Sequence, residues 1–513
     1  MNTLTGAIER QLHARGSAVA VSWVGEESSY AELERRSDSA ADGLQRRGVR
    51  PGDRVAVGLP NSPDLVAGVV AVLRAGAVLV PLSPAYTVGE AMHIVSDAAP
   101  TLVITHALQA QALADAGCRT PLVTDLAALQ DASTPALTVD ERGGHRSTPI
   151  ARKADDAALI VYTSGTTGRP KGAVLSERAL FSNLSTVAEA WRWTDSDRLL
   201  LTLPCFHLHG LGLGILGSLL VGSCIVLRDR FRAEEVFGEI RAHRCTMFFG
   251  VPTMYNRLVT LPRAVSDPAD LRSMRLWVSG SAPLTEATFE RFRQRFHYEI
   301  LERFGMSEGG FMLGGSFDGV RRPGVVGKSF AGIDARIIEL DEADQGRLRE
   351  VADGETGELV IRGPNLFSGY WQRPEDTKAA FVDGFFRSGD LAVREADGMI
   401  RIVGRRSVDI IKSGGFKIGA VEIENCLQSH PAVAEVAVVG LPDADLGERV
   451  VAVVTTVSAT NVGETELIGY AREHLAPHKV PRQIVFRAEI PRTGPGKFKK
   501  KDLIRELSGS ADS

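Results

Sequence analysis

The stretch Val161-Tyr-Thr-Ser-Gly-Thr-Thr-Gly-Arg-Pro-Lys-Gly172 decides how the rest of the chain is read. It begins in an apolar, β-branched run, AALIVYT (157–163), and breaks into a loop. That loop carries hydroxyls at Thr163, Ser164, Thr166 and Thr167, glycines at Gly165, Gly168 and Gly172, and one lysine, Lys171. Glycines let a backbone approach an anion closely, and hydroxyl and amide groups donate to its oxygens. Lys171 adds a point charge. The spacing is not that of a Walker A loop, and GVVGKS (324–329) fails the same test. The plain alternative is a polar surface loop. So dense a Thr/Ser/Gly/Lys run directly after a buried strand weighs against it.

Outward from this loop, strand-like runs alternate with helical stretches. The runs are RVAVGLP (54–60), AVLVPL (77–82), TLVITH (101–106), LLLTLP (199–204), CTMFFGVP (245–252) and LWVSGSAPL (276–284). LVAGVVAVLRAG (65–76) and AEEVFGEIRAH (233–243) read as helices between them. This rhythm predicts an α/β protein with substantial parallel sheet. The texture changes after Gly357, where GELVIRGPNLFSGYW (357–371) and DGMIRIVGRR (397–406) read as short strands and turns. A smaller unit follows from Val421, with EIENCLQSH (422–430) and ELIGYAREHLAP (466–477) as helices. VAEVAVVGLP (433–442) and ERVVAVVTTV (448–457) are its strands, and the boundary falls near residues 404–409.

The chain has 513 residues, of which 44% are hydrophobic and 24% charged. That is globular composition with room for several domain-sized units. A net charge of -4 lacks the basic footprint of a nucleic-acid binder, so a phosphate-bearing small ligand must be held by local cations. Five scattered cysteines without a CxxC pair read as reduced thiols, and the polar start does not read as a secretory signal, so a cytoplasmic location is expected. Residues 209–227 are long and uncharged enough to raise the question of a membrane span. Gly210, Gly212, Gly214, Gly217 and Gly222, followed by the strand-like SCIVL (223–227), read instead as a buried helix and strand. Residues 65–82, interrupted by Arg74, read as helix–turn–strand. No membrane span is expected, and the oligomeric state stays open.

TSGTTGRPKG (163–172) resembles the signature loop of the adenylate-forming superfamily of acyl- and aryl-CoA synthetases, luciferases and nonribosomal adenylation domains. The resemblance continues in order through LPCFHLHG (203–210), GVPTMY (250–255), SGSAPL (279–284), ERFGMSE (302–308), GELVIRGP (357–364), GFFRSGD (384–390), GRRSVDIIKSGGFKIGAVEIE (404–424) and PRTGPGKFKKKDL (491–503). It implies a large N-terminal domain, residues 1–405, of parallel-sheet α/β subdomains plus a β-barrel-like part. A hinge at 406–409 and a small mobile α+β C-terminal domain, 410–513, would follow.

The resemblance implies an ATP-dependent acid:CoA ligase. A carboxylate attacks the α-phosphorus of ATP, pyrophosphate leaves, and the acyl group then passes to CoA. Two anions must meet, so the site must supply positive charge. By this resemblance Thr163, Ser164, Gly165, Thr166, Thr167, Gly168 and Lys171 hold the β- and γ-phosphates. Glu308, with Thr163, binds Mg²⁺, a hard cation suited to oxygen ligands. Ser307 lies near the α-phosphate. Phe304 and Gly305 pack on adenine beside Ser281, Ala282 and Pro283. Asp390 and Arg405 contact the ribose. Lys497 bridges carboxylate and α-phosphate, with Lys171, Glu308 and His207 as the other catalytic groups. Lys412, Ser413, Gly414, Gly415 and Phe416 line the CoA tunnel. Lys499, Lys500 and Lys501 are expected to be solvated charges.

Among subgroups the chain most resembles malonyl-CoA synthetases, sharing stretches such as GPNLFSGYWQRPEDT (363–377). Arg257 matches an arginine that holds the distal carboxylate there. The expected acyl pocket, His207, Leu208, Val251, Arg257, Gly309, Gly310, Phe311 and Met312, otherwise departs toward small and apolar residues. A small dianion would lose partners in such a pocket, so a bulky, largely apolar acid is expected. Malonate is the alternative. A further alternative is an adenylating enzyme that hands acyl-AMP to a separate carrier or ligase. A non-catalytic nucleotide-binding relative is disfavoured by the joint presence of Lys171, Glu308, Asp390 and Lys497.

Overall fold

The computed structural model describes residues 3–130, 150–163, 170–340, 348–406, 409–414, 416–457, 462–492 and 498–509. Strand Ala157–Thr163 is buried along its five middle residues, as its unbroken apolar run requires. It lies inside a seven-stranded sheet, parallel to Val78–Pro81 and antiparallel to Lys171–Ser176. Arg54–Gly58, Leu102–Thr105 and Leu122–Val123 continue the parallel side, and Gly369–Tyr370 closes the other edge. Residues 65–82 form the end of helix Pro63–Arg74, a turn and strand Val78–Pro81. Ser62 caps that helix by accepting from the Leu65 amide, with Pro63 at its first turn.

A second sheet of fourteen strands carries the remaining strands of the N-terminal part. Val19–Trp23, Cys224–Leu227, Arg198–Leu201, Met247–Gly250, Leu276–Ser279 and Ile300–Met306 run parallel. The sheet then turns antiparallel through Gly310–Gly314, Val325–Ser329, Ile400–Arg405, Phe385–Arg394, Thr356–Arg362 and Asp334–Ile338. The expected β-barrel-like part is therefore, among the described residues, an antiparallel extension of an open sheet and not a closed barrel. Its terminal strands are Asp334–Ile338 and Glu26–Ser29, which do not pair with each other.

Residues 209–227 form π-helical turns over His209–Gly217, a short helix Ser218–Val221 and strand Cys224–Leu227, all packed inside. Glycine is required here by close approach. A Cβ on Gly214 would lie 2.6 Å from Leu201, and one on Gly217 would lie 2.9 Å from Trp193. Among the described residues no helix is long and apolar enough to cross a membrane. The five cysteines are free, and Cys205, Cys224 and Cys245 are buried.

The large sheet's last segment ends at Arg405, and a separate five-stranded sheet begins with Ile410–Ser413. Strand Val433–Asp443 buries both faces, which explains its lack of alternation. Val436 and Val438 pack with helices Ala420–Gln428 and Glu464–His474, while Ala437 and Val439 pack with Leu503 of helix Lys500–Gly509.

One buried charge cluster ties the N-terminal helix Leu4–Ala14 to the core. Glu177 is fully buried, accepts from the Thr5 amide at 2.8 Å and the Thr5 hydroxyl at 2.7 Å, and pairs with Arg152 Nε at 3.0 Å. Arg152 also donates to the Ala77 carbonyl. Glu177→Ala leaves a buried guanidinium uncompensated, at a cost of about 3–5 kcal/mol. Thermal unfolding should show a midpoint lowered by several degrees. Glu177→Asp, which keeps the negative charge facing Arg152, should lose clearly less. Equal midpoints for the two variants would contradict this account.

Candidate active site

The register Thr163↔Lys171 places the two ends of the decisive loop opposite each other across a hairpin. Ser164, Gly165, Thr166, Thr167 and Gly168 lie outside the described residues. Lys171 Nζ pairs with Asp376 Oδ1 at 2.9 Å and sits 5.4 Å from the centre of the Tyr370 ring. The Tyr370 hydroxyl in turn donates to Glu308 Oε1 at 2.9 Å. One tyrosine therefore spans the two residues expected to meet phosphate and metal.

Glu308 stands on the tight turn between strands Ile300–Met306 and Gly310–Gly314. The turn is clamped from outside. The Phe367 amide donates to the Glu308 carbonyl at 2.7 Å, and Asn365 Nδ2 donates to the Gly309 carbonyl at 2.6 Å. Burial raises the Glu308 carboxyl above its ordinary range, and the Tyr370 hydroxyl partly offsets that. A single hard carboxylate oxygen beside a phosphate loop fits Mg²⁺, which usually takes one or two carboxylates plus substrate phosphates. Among the described residues no group of three His, Cys, Asp or Glu side chains that could hold a metal ion occurs. Thr163 ends the neighbouring strand as the second expected ligand.

Asp390 and Arg405 face each other across paired strands, with Arg405 Nε donating to Asp390 Oδ1 at 2.8 Å. Asp390 is 5% exposed, which sets the pair apart from a surface ion pair. The carboxylate beside it holds the Arg405 guanidinium firmly charged. Ser281 adopts φ 73°, a left-handed conformation that is strained for a non-glycine residue, at the start of the Ser281-Ala282-Pro283 turn. The far end of that turn is held by Glu302, which accepts from the Leu284 amide at 3.4 Å and the Gly324 amide at 2.7 Å. Burial pushes the Glu302 carboxyl up to about 8. Phe304, two residues on, is partly exposed against the core, and Gly305 backs closely onto the Gly310 carbonyl.

Beside this turn lies a cavity of about 200 Å³. Leu203, Pro204, Phe231, Val251 and Met254 give it an apolar wall, and His207, His209, Thr253, Arg257 and Ser281 give it polar points. Five expected pocket residues do not line it. Phe311 and Met312 are buried in the core. A Cβ on Gly310 would strike Asn183, which both donates to and accepts from the Phe311 backbone, and one on Gly309 would strike Met312. These glycines serve close packing and do not open the cavity. Leu208 is also buried and packs beside Gly212, so of the expected set only His207, Val251 and Arg257 line the space.

Behind the cavity sits Arg303, which sequence reasoning missed. Its guanidinium lies 4.9 Å from the centre of the Phe311 ring and against Gly280, where a Cβ would fall 2.5 Å away. Burial lowers it to about 9, and its Nε and Nη2 have no acceptor among the described residues. Burial, with Arg303 and His207 adding to it, holds His209 well below its ordinary range and so neutral. Asn183, Asn365, Tyr370 and Asp376 were missed as well. The last three lie in the 363–377 stretch, whose texture was noticed without a role.

Lys497 and Gly415 fall outside the described residues. Lys412 is exposed, and its amide donates to Glu448 at 2.6 Å. Gly414 takes φ 56° at the tip of the hairpin Ile410–Ser413/Phe416–Gly419. Ser413 is buried within that hairpin.

Comparison with known proteins accords with this geometry. Residues 8–371 match the AMP-binding enzyme family, and residues 422–497 match the AMP-binding enzyme C-terminal domain. A mitochondrial malonate–CoA ligase ACSF3 from Mus musculus is 36% identical over 93% of this chain and 87% of its own length. A feruloyl-CoA synthase from an Amycolatopsis species is 36% identical over 96% of each chain. ATP-bound MatB from Rhodopseudomonas palustris, 34% identical, superposes over 99% of both chains with a TM-score of 0.90, against 0.80 for its nucleotide-free form. The chain belongs to the AMP-binding enzyme family, within the adenylate-forming superfamily that includes the acyl-CoA synthetases.

Proposed function

We propose that this protein is an ATP-dependent, AMP-forming acid:CoA ligase acting on a largely apolar carboxylic acid. The observation that carries the reading is the joined set Lys171–Tyr370–Glu308 and Asp390–Arg405 beside a mostly hydrocarbon-walled cavity. The phosphates of ATP take Lys171 from Asp376, while Glu308 and Thr163 would hold Mg²⁺. An ion held there would supply positive charge against the phosphates. Asp390, fixed by Arg405, accepts the ribose hydroxyls. The acid enters from the Phe231, Val251 and Met254 side, with its carboxylate toward His207 and Ser281. Lys497 attracts both the carboxylate and the α-phosphate during their approach. Lys412, Ser413 and Gly414, with Gly415 and Phe416, meet CoA in the second step. The reaction itself places the enzyme with ATP and CoA, in keeping with a cytoplasmic setting.

One observation favours malonate as a second reading. Among the described residues, Arg303 keeps its buried Nε and Nη2 without an acceptor next to His209, and Arg257 stands exposed at the cavity. Buried donors without partners cost free energy that an anionic ligand group would recover.

ATP–pyrophosphate exchange and CoA-thioester formation over a panel of acids test the main reading. An apolar monocarboxylic acid should be the best substrate, and thioester should appear without any added carrier. Exchange without thioester would mean that the acyl-AMP is handed to another protein.

Val251→Trp should fill the cavity and penalise bulky acids about five- to hundred-fold more than short ones, since overpacking costs about 1–3 kcal/mol. Equal losses across the panel would remove Val251 from the acid site. Arg303→Met should leave apolar acids turned over at about the wild-type rate. If malonate is the substrate, the same change should cut its kcat/KM by about tenfold or more, the loss expected for a charge-assisted hydrogen bond. The ratio of the two activities decides between the readings.

A further inference from the structure

Lys500, which sequence reasoning treated as a solvated charge, is 8% exposed. Its ammonium lies 2.6 Å from Glu424 Oε1 and also contacts Asp409 Oδ1. Glu424 belongs to helix Ala420–Gln428 and further accepts from the Val438 amide at 2.7 Å. Asp409 stands at the end of the linking stretch between the two large pieces of the chain. Its carbonyl accepts from the Ala420 amide at 2.8 Å. Its other carboxylate oxygen accepts from the Arg405 amide at 2.8 Å, and its own amide donates to the Arg405 carbonyl at 2.7 Å. Arg405 then reaches Asp390. An unbroken bonded path thus runs from the C-terminal helix to the nucleotide side of the candidate site.

We propose that Lys500 is a positioning residue for acid activation: it holds Asp409, Asp409 holds the Arg405 backbone, and Arg405 holds Asp390 ready for the nucleotide. This rests on the ligase reading above. Two contacts, from Lys500 and from the Ala420 amide, fasten Asp409 to the C-terminal unit, and Glu424 holds Lys500 in place. The Arg405–Asp409 pair is then the joint between that unit and the large sheet. The chain superposes better on the ATP-bound than on the nucleotide-free form of its relative, so the joint is made in an arrangement like the nucleotide-bound one. Depth decides the strength. An exposed ion pair would contribute little, whereas removing the cation from a buried triad leaves two carboxylates facing each other. Asp409 would then be driven from Glu424 and its grip on Arg405 weakened.

The two half-reactions test this separately. Lys500→Met should lower ATP–pyrophosphate exchange by about tenfold to a hundredfold, the cost of displacing a site group by about 1 Å. Thioester formation from supplied acyl-AMP should stay within about threefold, since it does not require this arrangement. The double variant Lys500→Gln/Glu424→Gln removes the facing carboxylate and offers Asp409 an amide donor, and it should recover most of the exchange. Equal loss in both half-reactions, or unchanged exchange, would overturn the proposal. Should Lys500→Met fail to fold, Asp409→Asn takes its place with the same expected split and the same overturning outcomes. If wild-type protein exchanges pyrophosphate with no acid, the ligase reading itself fails. Hydrogen exchange then decides the joint alone. The Arg405 and Ala420 amides should exchange faster in Lys500→Met while strand Gly447–Thr456 is unchanged, and a uniform change or none would overturn it.

Discussion

Strand Ile300–Met306 pairs in parallel with Leu276–Ser279 on one side and antiparallel with Gly310–Gly314 on the other. That double pairing is the constraint on which the rest depends. It converts a parallel sheet into an antiparallel one without a break, and the conversion forces a tight turn at Ser307–Gly309. The same strand sends Glu302 to one side and Arg303 to the other, as the period of two requires. One strand thereby fixes the turn that carries Glu308, the support of the Ser281–Leu284 turn and the cation behind the cavity.

The first, seven-stranded sheet contributes through Lys171, and it is joined to the second by the short stretch 363–377. Tyr370 pairs in register with Ala173 of the first sheet while its hydroxyl reaches Glu308 on the second. Asn365 and Phe367 clamp the same turn. Tyr370 is thus one side chain that bridges the two sheets, which also share one hydrophobic core.

Much of this was legible in the sequence. The apolar run before Thr163, the glycine-dense 209–227 stretch and the both-face-buried strand Val433–Asp443 follow from burial and periodicity alone. The ordered motifs carried Lys171, Glu308, Asp390 and Arg405 to one neighbourhood. The lining of the cavity was less legible, for a physical reason. A glycine in a sequence signals missing volume, but not whether the space is empty or already filled by a neighbour. At Gly309 and Gly310 the neighbours are Met312 and Asn183, and the space is filled. Lys500 was misread for a similar reason, because a basic run does not reveal which member turns inward to carboxylates that lie some 76 and 91 residues earlier.

The pair between Lys171 and Asp376 has a consequence for how the protein meets polyanions in general. Lys171 is not a bare cation waiting at the surface, so under the proposed function ATP binding would be a change of partner and not the creation of a new ion pair. The number of opposite-charge contacts is conserved, and the net gain is only the difference between a phosphate and a carboxylate neighbour. Such an exchange reaction responds weakly to ionic strength, because screening acts on both sides of it.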